Sequence, residues 1–542
     1  LAHILTDAFA DTLCTGLQRR AITKCSKWVM TYRKIKGLPF TFDNYPWTLD
    51  MHNSEAPLNV GQKSAQMGFT ETTLNIVLYT IDILNRDVLY ILPSKVPDAC
   101  EFSAARFDPA LEESSHLINL FSSVRNVGHK RSGSTNFYIR GSNSRSGLKS
   151  IPVALIVFDE LDEMNQENIS LAEERVSGQI DPRIWKISTP TIPNFGINQA
   201  YLQSTQEHFF FPCPHCQKHI ELIWPDSIKI IGEHEHDPRI QESHLICSEC
   251  KKPLPNEKVY LRSGKWIPQN PESRIRGFYI NQLYSFLRKP FDVVQLFFRS
   301  QIDQHAEQEF FNSKLGLPHV VEGAQIKDHE ITAVLGTRKK SDPFDTGIIT
   351  LGIDQGKWLH YEVDKWHFDK LTNDCNMNAI CEVLDEGKCL EFSELDTIMR
   401  KYQVTYCVID AQPDRRKAFE FAVKYSGHVS LCFYARGQHG RSISVDSNED
   451  QHKITVDRTS WLDTALHRFH TKRIILPQDV SHEYQNHIKS LIRYYKKDEQ
   501  GNPTGHYVSD GPDHFGHARC YAEIALPFAA SFTTGHNIRV FL

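Results

Sequence analysis

A chain of 542 residues is too long for one hydrophobic core, so roughly two to four domains are expected. A hydrophobic fraction of 40% and a charged fraction of 23% exclude a disordered or low-complexity protein, and no window approaches the ~18 apolar residues of a membrane helix. The net charge of −5 excludes a globally basic nucleic-acid binder; such a partner must be held by local patches. The opening "LAHILTDAFADTLC" has no basic n-region, and His3, Asp7 and Asp11 interrupt its apolar run, so it does not read as a signal peptide. The absence of an initiating Met leads us to expect a chain trimmed at its start. Thirteen cysteines without a secretion signal point to thiols and metal ligands rather than disulfides.

In chain order, residues 19–37, "RRAITKCSKWVMTYRKIKG", predict a basic, aromatic helical opening. Between about 56 and 200, the apolar runs "DVLYILPS", "NFYIRGS", "VALIVFDE" and "RIWKISTPT" alternate with amphipathic stretches, the pattern of a parallel α/β sheet. Residues 208–256 then exchange that alternation for Pro, His and paired Cys. A linker is expected over 321–345, where periodicity is weak and breakers are scattered. A second α/β pattern follows. "TGIITLGID" and "WLHYEVDKWHF" read as a hairpin, "YCVIDA" as a buried strand, and "PDHFGHARCYAEIAL" as the start of a late helix. No internal repeat is visible.

"VGQKSAQMGFTETTLN", Val60 to Asn75, has the outline of a phosphate-binding loop. Such loops wrap phosphate in backbone N–H groups at a helix N-terminus and add one ammonium, with spacing G-x-x-x-x-G-K-[ST]. Here Gly68 and Thr70 stand where that motif wants them, but Phe69 occupies the lysine position and Lys63 the first glycine position. The cation has moved to the other end of the loop. The expected ATP contacts are Lys63, Ser64, Ala65, Gln66, Met67, Gly68, Phe69 and Thr70; a bland strand-to-helix turn would have the same outline. "ALIVFDELDEM" delivers Asp159 and Glu160 from a buried strand to the edge where α/β sheets bind ligands. Asp159 is the expected Mg²⁺ ligand and Glu160 the residue that orients and deprotonates water, although a solvated acidic strand end looks alike. "KISTPT" ends another strand in hydroxyls, and Ser188 and Thr189 are placed to sense the γ-phosphate and couple hydrolysis to movement.

"CPHC" (Cys213, Cys216) and "CSEC" (Cys247, Cys250) are two C-x-x-C knuckles, whose four thiolates would close a tetrahedral, structural Zn²⁺ site. His215, His219, His234, His236 and His244 lie nearby and are expected to be spectators; four unligated thiols is the alternative. In the C-terminal half, Asp354 and Asp410 end apolar strands and Asp513 begins the late helix. Three acids from separate segments can hold divalent metal for phosphodiester cleavage, yet strand-end aspartates are often turn residues. His514 and His517 flank the last acid as ligand, proton carrier or phosphate contact, or as capping and packing residues, and Asp414 is a weaker fourth acid. "RYYKK", Arg493 to Lys497, is either a backbone grip on DNA or a solvated face.

"KSAQMGFTE", "DELDEM", "STPT" and "FFFPCPHCQKHIEL" occur in the order that resembles the large subunit of tailed-bacteriophage terminases, lambda-like branch, over residues 27 to 526. Relatives carry lysines at both ends of the loop; Phe69 departs from that pattern and leaves Lys63 the loop's sole lysine. The resemblance implies a P-loop ATPase with a zinc-binding insertion and an RNase H-like nuclease, in which Asp354, Asp410 and Asp513 match the Mg²⁺- or Mn²⁺-holding acids. The implied layout is a helical segment over 1–50, ATPase core over 51–205, Cys₄ insertion over 206–270 and lid over 271–320. After the linker, the nuclease follows over 346–542. The resemblance further implies packaging of double-stranded DNA into a procapsid, a small terminase subunit and a portal protein as partners, a homo-oligomeric ring, and the bacterial host cytoplasm as compartment. It also sets Tyr45 and Trp47 in the region that contacts adenine, with core packing as the alternative role for these rings. Rival readings are a helicase or translocase serving repair or transposition, and a non-enzymatic zinc-bearing DNA-binding scaffold.

Overall fold

The structure is a computed structural model and describes residues 22–121, 124–149, 151–368, 376, 379–435, 440–445, 452–497 and 503–534. The segment expected over 1–50 is therefore described only from residue 22. The chain divides into two units, with the boundary between His319 and Val320.

The first unit is built on parallel strands. We label them β1 (Leu58–Lys63), β2 (Val88–Leu92), β3 (Thr135–Gly141), β4 (Leu155–Asp159), β5 (Arg183–Ser188), β6 (Glu207–Pro212) and β7 (Arg276–Ile280). Their order across the sheet is β6-β7-β1-β5-β4-β2-β3, every adjacent pair parallel. β2 and β4 are buried along their whole length, which is why they read as unbroken apolar runs rather than alternating ones. Helix α1 (Phe69–Asp82) follows β1, and a second short helix, α2 (Gly196–Leu202), follows β5. The C-terminal ends of β1, β4 and β5 lie side by side, since Gln62 pairs with Ser188 and Asp159 with Ile187. That edge is where the expected nucleotide residues fall.

The second unit carries a mixed sheet. Its strands are β8 (Ile348–Gln355), β9 (Leu359–Phe368), β10 (Ala379–Cys389), β11 (Tyr406–Asp410), β12 (Val429–Tyr434), β13 (Ile443–Val445), β14 (Lys453–Val456) and β15 (Ile474–Ile475). Among the described residues the order is β13-β14-β12-β11-β8-β9-β10-β15. β8 pairs antiparallel with β9 and parallel with β11. Helices α3 (Arg458–His470) and α4 (His514–Thr534) also belong to this unit. Residues 321–345, expected as a linker, bring Ile326, Ile331 and Val334 into the same core as α3 and α4.

Helix α4 lies directly on β8 at Gly352. A Cβ there would stand 2.0 Å from the Ala518 carbonyl and 2.3 Å from the Ala522 nitrogen, so no side chain fits. Gly352→Ala is expected to lower unfolding stability by about 3 kcal/mol through overpacking, with a matching fall in Tm. A variant as stable as the parent would show that the helix is free to shift.

Candidate catalytic sites

The first unit assembles its site at the edge where β1, β4 and β5 end. β1 terminates on Lys63, whose side chain is nearly buried and donates to Glu160 Oε1 at 2.9 Å and Thr189 Oγ1 at 3.3 Å. Burial alone would push the ammonium pKa down, but Glu160 and Asp159 hold it above its ordinary value. The loop then turns through Gln66 (φ 64°) and Gly68 (φ 82°) into α1. A left-handed turn at Gly68 lets the helix start immediately, leaving the first amides of α1 without intrahelical partners. Thr70 Oγ1 donates to Asp159 Oδ1 at 3.3 Å, and the Tyr90 hydroxyl, on β2, donates to Asp159 Oδ2 at 2.7 Å. Burial, reinforced by Glu160, raises the Asp159 carboxyl to about 6 against the pull of Lys63. Glu160 itself sits at φ 63°, with Oε2 accepting from Ser188 Oγ and the Thr189 amide, each at 3.4 Å. Lys63, Thr70, Asp159, Glu160, Ser188 and Thr189 thus form one connected cluster.

Other loop residues have different surroundings. The Ser64 and Ala65 amides donate to the carbonyls of Ile280 and Ser313, at 3.0 and 2.8 Å, so the loop's donors for an anion begin at Gln66. Met67 and Phe69 are core side chains, and the Phe69 ring covers Gly61, where a Cβ would lie 2.6 Å from Phe69 Cδ2. Trp47 takes the core-packing alternative. Its ring is 0% exposed and its indole N–H donates to the Met67 carbonyl at 2.9 Å, so it braces the loop from inside the core. Tyr45, half-buried against Gly68, is the ring left near the loop surface.

Asp162 is the residue that sequence reasoning passed over, although it stands inside the motif "DELDEM". Its carboxylate accepts from the Thr191 amide and hydroxyl, both at 2.8 Å, and from the Ile197 amide at 2.7 Å. It ties the acidic strand end to the segment after β5 and to α2. Burial raises its carboxyl to about 7 despite those three donors. Asp162→Asn, which cannot accept all three bonds, is expected to destabilise the unit by about 2 kcal/mol. It should also slow any reaction that needs Glu160 and Thr189 held together, which parallel thermal melts and turnover assays would reveal.

The four knuckle cysteines meet. All four Sγ atoms lie within 4.8 Å of one another, with Cys213 to Cys250 at 4.0 Å and Cys216 to Cys247 at 3.9 Å. These separations exclude disulfides, whose S–S bond is about 2.05 Å. They suit a tetrahedral ion with metal–sulfur bonds of about 2.3 Å, which sets sulfurs ~3.8 Å apart. The two knuckles share one backbone form: the Gln217 amide bonds the Cys213 carbonyl and the Lys251 amide the Cys247 carbonyl, each at 3.0 Å, and both residues have φ 60°. His215 is turned to the Pro253 carbonyl at 2.8 Å and His244 to the Glu242 carbonyl at 2.8 Å.

In the second unit, Asp354, next to last in β8, and Asp410, last in β11, lie on adjacent parallel strands, each one residue past the Ile353–Ile409 pair. Burial, with Asp354 alongside, raises the Asp410 carboxyl to about 6. Its backbone carbonyl accepts from the Gln355 side-chain amide. Asp513 immediately precedes α4. Burial would raise its carboxyl, but His517, with Nε2 at 3.4 Å from Asp513 Oδ2, holds it below its ordinary value. His517 is also within 3.2 Å of the Tyr434 hydroxyl and of an Arg458 guanidinium nitrogen. His514 Nδ1 is 2.8 Å from Asp354 Oδ2, so α4 brings its first turn onto β8.

The seating of α4 is fixed by buried ions. Arg519 on α4 pairs with Glu362 at 2.6 Å and with Asp364, both on β9, and with Glu523 at 2.6 Å, while Arg468 on α3 forks onto Glu523 at 2.7 Å. Two other candidates have partners of their own. Asp414 caps a helix by accepting from the Lys417 amide at 3.1 Å. Arg493 is bound to Asp463 at 2.8 Å, which leaves its charge neutralised rather than free for a phosphate. The Lys496 and Lys497 side chains lie outside the described residues.

The first unit thus sets a loop lysine against an acidic strand end, and the second sets aspartates at the ends of adjacent parallel strands. Residues 43–266 match the family described as phage terminase large subunit gpA, ATPase domain, and residues 275–474 match terminase large subunit gpA, endonuclease domain. The chain belongs to the phage terminase large-subunit family. The endonuclease match contains Asp354 and Asp410 but stops before Asp513. The terminase large subunit of Enterobacteria phage P21 is 22% identical over 226 residues, covering 38% of this chain and 35% of that one. That of Escherichia phage lambda is 22% identical over 343 residues, covering 56% of this chain and 53% of that one. The aligned parts thus span about half or less of these relatives' length. The crystal structure of the HK97 bacteriophage large terminase is similar at 11% identity and a TM-score of 0.48, covering 92% of this chain and 98% of that one.

Proposed function

We propose that this chain hydrolyses ATP to move double-stranded DNA into a viral procapsid and cuts that DNA with its C-terminal unit. The observation that carries the first half is the Lys63–Glu160 pair, which sets the only loop lysine against the acidic end of β4. In this structure the ammonium pairs with Glu160 at 2.9 Å. A triphosphate presented at the N-terminus of α1 competes for the ammonium and leaves the Glu160 carboxylate free to take a proton from water. Thr70 and Asp159 are the residues that would hold Mg²⁺, a hard ion suited to their oxygens, which would offset charge on the phosphates. Ser188 and Thr189 both touch Glu160, so they are placed to report its state to the segment beyond β5.

For the second half, the mixed sheet, with β8 antiparallel to β9 and parallel to β11, supports an RNase H-like reading. Asp354, Asp410 and Asp513 would hold Mg²⁺ or Mn²⁺, whose role is to activate water and stabilise the leaving 3′ oxygen. His514 and His517 orient two of these acids. Zn²⁺ on Cys213, Cys216, Cys247 and Cys250 is architectural, since four thiolates leave no open position. Layout follows: ATPase core over 51–205, cysteine insertion over 206–270, lid over 271–320 and nuclease over 346–542. The partners proposed are a small terminase subunit, the portal protein and further copies of this chain in a ring, in the cytoplasm of a bacterial host. Among the described residues no helix is long and apolar enough to cross a membrane.

The test compares four proteins for ATP hydrolysis with and without DNA, and for cutting of long DNA. Glu160→Gln should lose hydrolysis by about 10²–10⁴-fold and keep cutting. Asp354→Ala and Asp410→Ala should lose cutting and keep hydrolysis. A parent protein that hydrolyses no ATP with DNA present would leave the zinc-bearing scaffold as the better reading.

A further inference from the structure

His360 stands directly opposite Asp354 in the β8–β9 ladder. It is 4% exposed, and its Nδ1 is buried with no hydrogen-bond partner. A buried imidazole nitrogen left unpaired loses its hydration without compensation, so its position calls for an explanation. The His514 ring stacks on the His360 ring with centroids 4.5 Å apart and planes 8° from parallel, while its Nδ1 reaches Asp354. One ligand atom from each of Asp354, His360 and His514 falls within a mutual 4.8 Å. The three come from two paired strands and a helix, and the buried Arg519–Glu362 pair ties that helix to β9. His487 is close to both rings, at 5.6 and 5.8 Å between centroids, but already receives the Phe515 amide at 3.4 Å.

One carboxylate and two imidazoles is a different donor set from the aspartates expected of this unit. Magnesium takes oxygen ligands and gives up its waters reluctantly. Imidazole nitrogen suits the borderline divalent transition ions. We propose that Asp354, His360 and His514 form a transition-metal site beside Asp410, with Asp354 shared between this ion and the one assigned to the aspartates. The proposal rests on the nuclease reading for the use of the ion, but binding is measurable without any cutting. The rival is a metal-free His–Asp pair that only seats α4.

The experiment uses the full, untagged chain without nucleotide and Mn²⁺ as the probe, an ion that the four-thiolate cluster disfavours. Free Mn²⁺ is followed by electron paramagnetic resonance, and bound Mn²⁺ is examined for nitrogen-14 coupling by the pulsed form. The parent should bind Mn²⁺ with imidazole coupling that excess Mg²⁺ does not erase. His360→Gln and His514→Gln should each weaken that binding by about tenfold or more and reduce the coupling. Because His360 is buried, His514→Gln, whose side chain is 40% exposed, gives the reading least open to misfolding. Mn²⁺ bound without nitrogen coupling, unchanged affinity in His514→Gln, ready displacement by Mg²⁺, or no binding at all would each overturn the site. Nitrogen-coupled Mn²⁺ in a protein that cuts no DNA would keep the site and reject the nuclease reading.

Discussion

Replacing Lys63 with alanine is expected to reduce ATP hydrolysis by about 10²–10³-fold, the scale of losing one preorganised charge at a developing anion. Restoring a lysine at the motif's usual place should not help. In the double variant Lys63→Ala, Phe69→Lys, the new side chain would replace a ring that is 1% exposed and packed over Gly61. Burying that ring contributes about 3 kcal/mol, and an ammonium in its place has no carboxylate of its own. The double variant should therefore be as inactive as Lys63→Ala and melt well below it. Steady-state hydrolysis and thermal unfolding, taken on the same preparations, check both halves. Turnover recovered by Phe69→Lys would mean that the loop can reopen into the ordinary geometry, and that Phe69 is an incidental substitution rather than part of the core.

The loop and the acidic strand end were legible because each is local. An apolar run that stops on Asp159 and Glu160 announces a buried strand and its edge, and Gly68 followed by Thr70 announces a turn into a helix. The paired cysteines were legible for the same reason, since the C-x-x-C bite sets two thiols at a fixed spacing. What sequence reasoning missed depends on contacts between distant segments. Asp162 acquires its role only when Thr191 and Ile197 fold against it, and nothing in its neighbours distinguishes it from Glu163. His360, Glu362 and Asp364 alternate along β9 as polar residues on a solvated face would. They are buried instead because α4 lies on that face and supplies Arg519. For Trp47 the sequence left two roles open, ligand contact or core packing, and a distant partner decides between them: Trp266 donates to its carbonyl at 2.8 Å with the ring turned inward.

Removing metal from the cysteine cluster should have the larger effect on stability. Cys213 and Cys247 are 0% exposed and belong to the same hydrophobic core as Trp47, Phe69 and Trp185, so the cluster is continuous with the body of the first unit. Four thiols brought within 4.8 Å without an ion would leave buried weak donors facing one another, whereas an ion converts them into a crosslink between residues 31 and more positions apart. Structural zinc stabilises small domains by about 10–16 kcal/mol, and a fraction of that suffices here because the rest of the core remains. Zinc analysis should find one ion per chain. Chelation, or Cys247→Ala, should lower the Tm of the first unit by about 10 °C. The second unit supplies an internal control for Cys247→Ala, which changes none of its residues and should leave its unfolding where it was. A preparation without zinc, in which all four thiols react freely with no change in Tm, would reduce the cluster to unligated cysteines. If instead zinc is present and its loss also abolishes hydrolysis, the effect runs through Tyr284, whose hydroxyl bonds the Phe209 carbonyl and the Leu222 amide across the base of the insertion, at 2.6 and 2.8 Å. Its neighbour Gln282 donates to the loop at the Ala65 carbonyl. That chain of contacts gives a mechanical route from the thiolates to the phosphate loop, and Gln282→Ala should then impair hydrolysis while leaving the zinc in place.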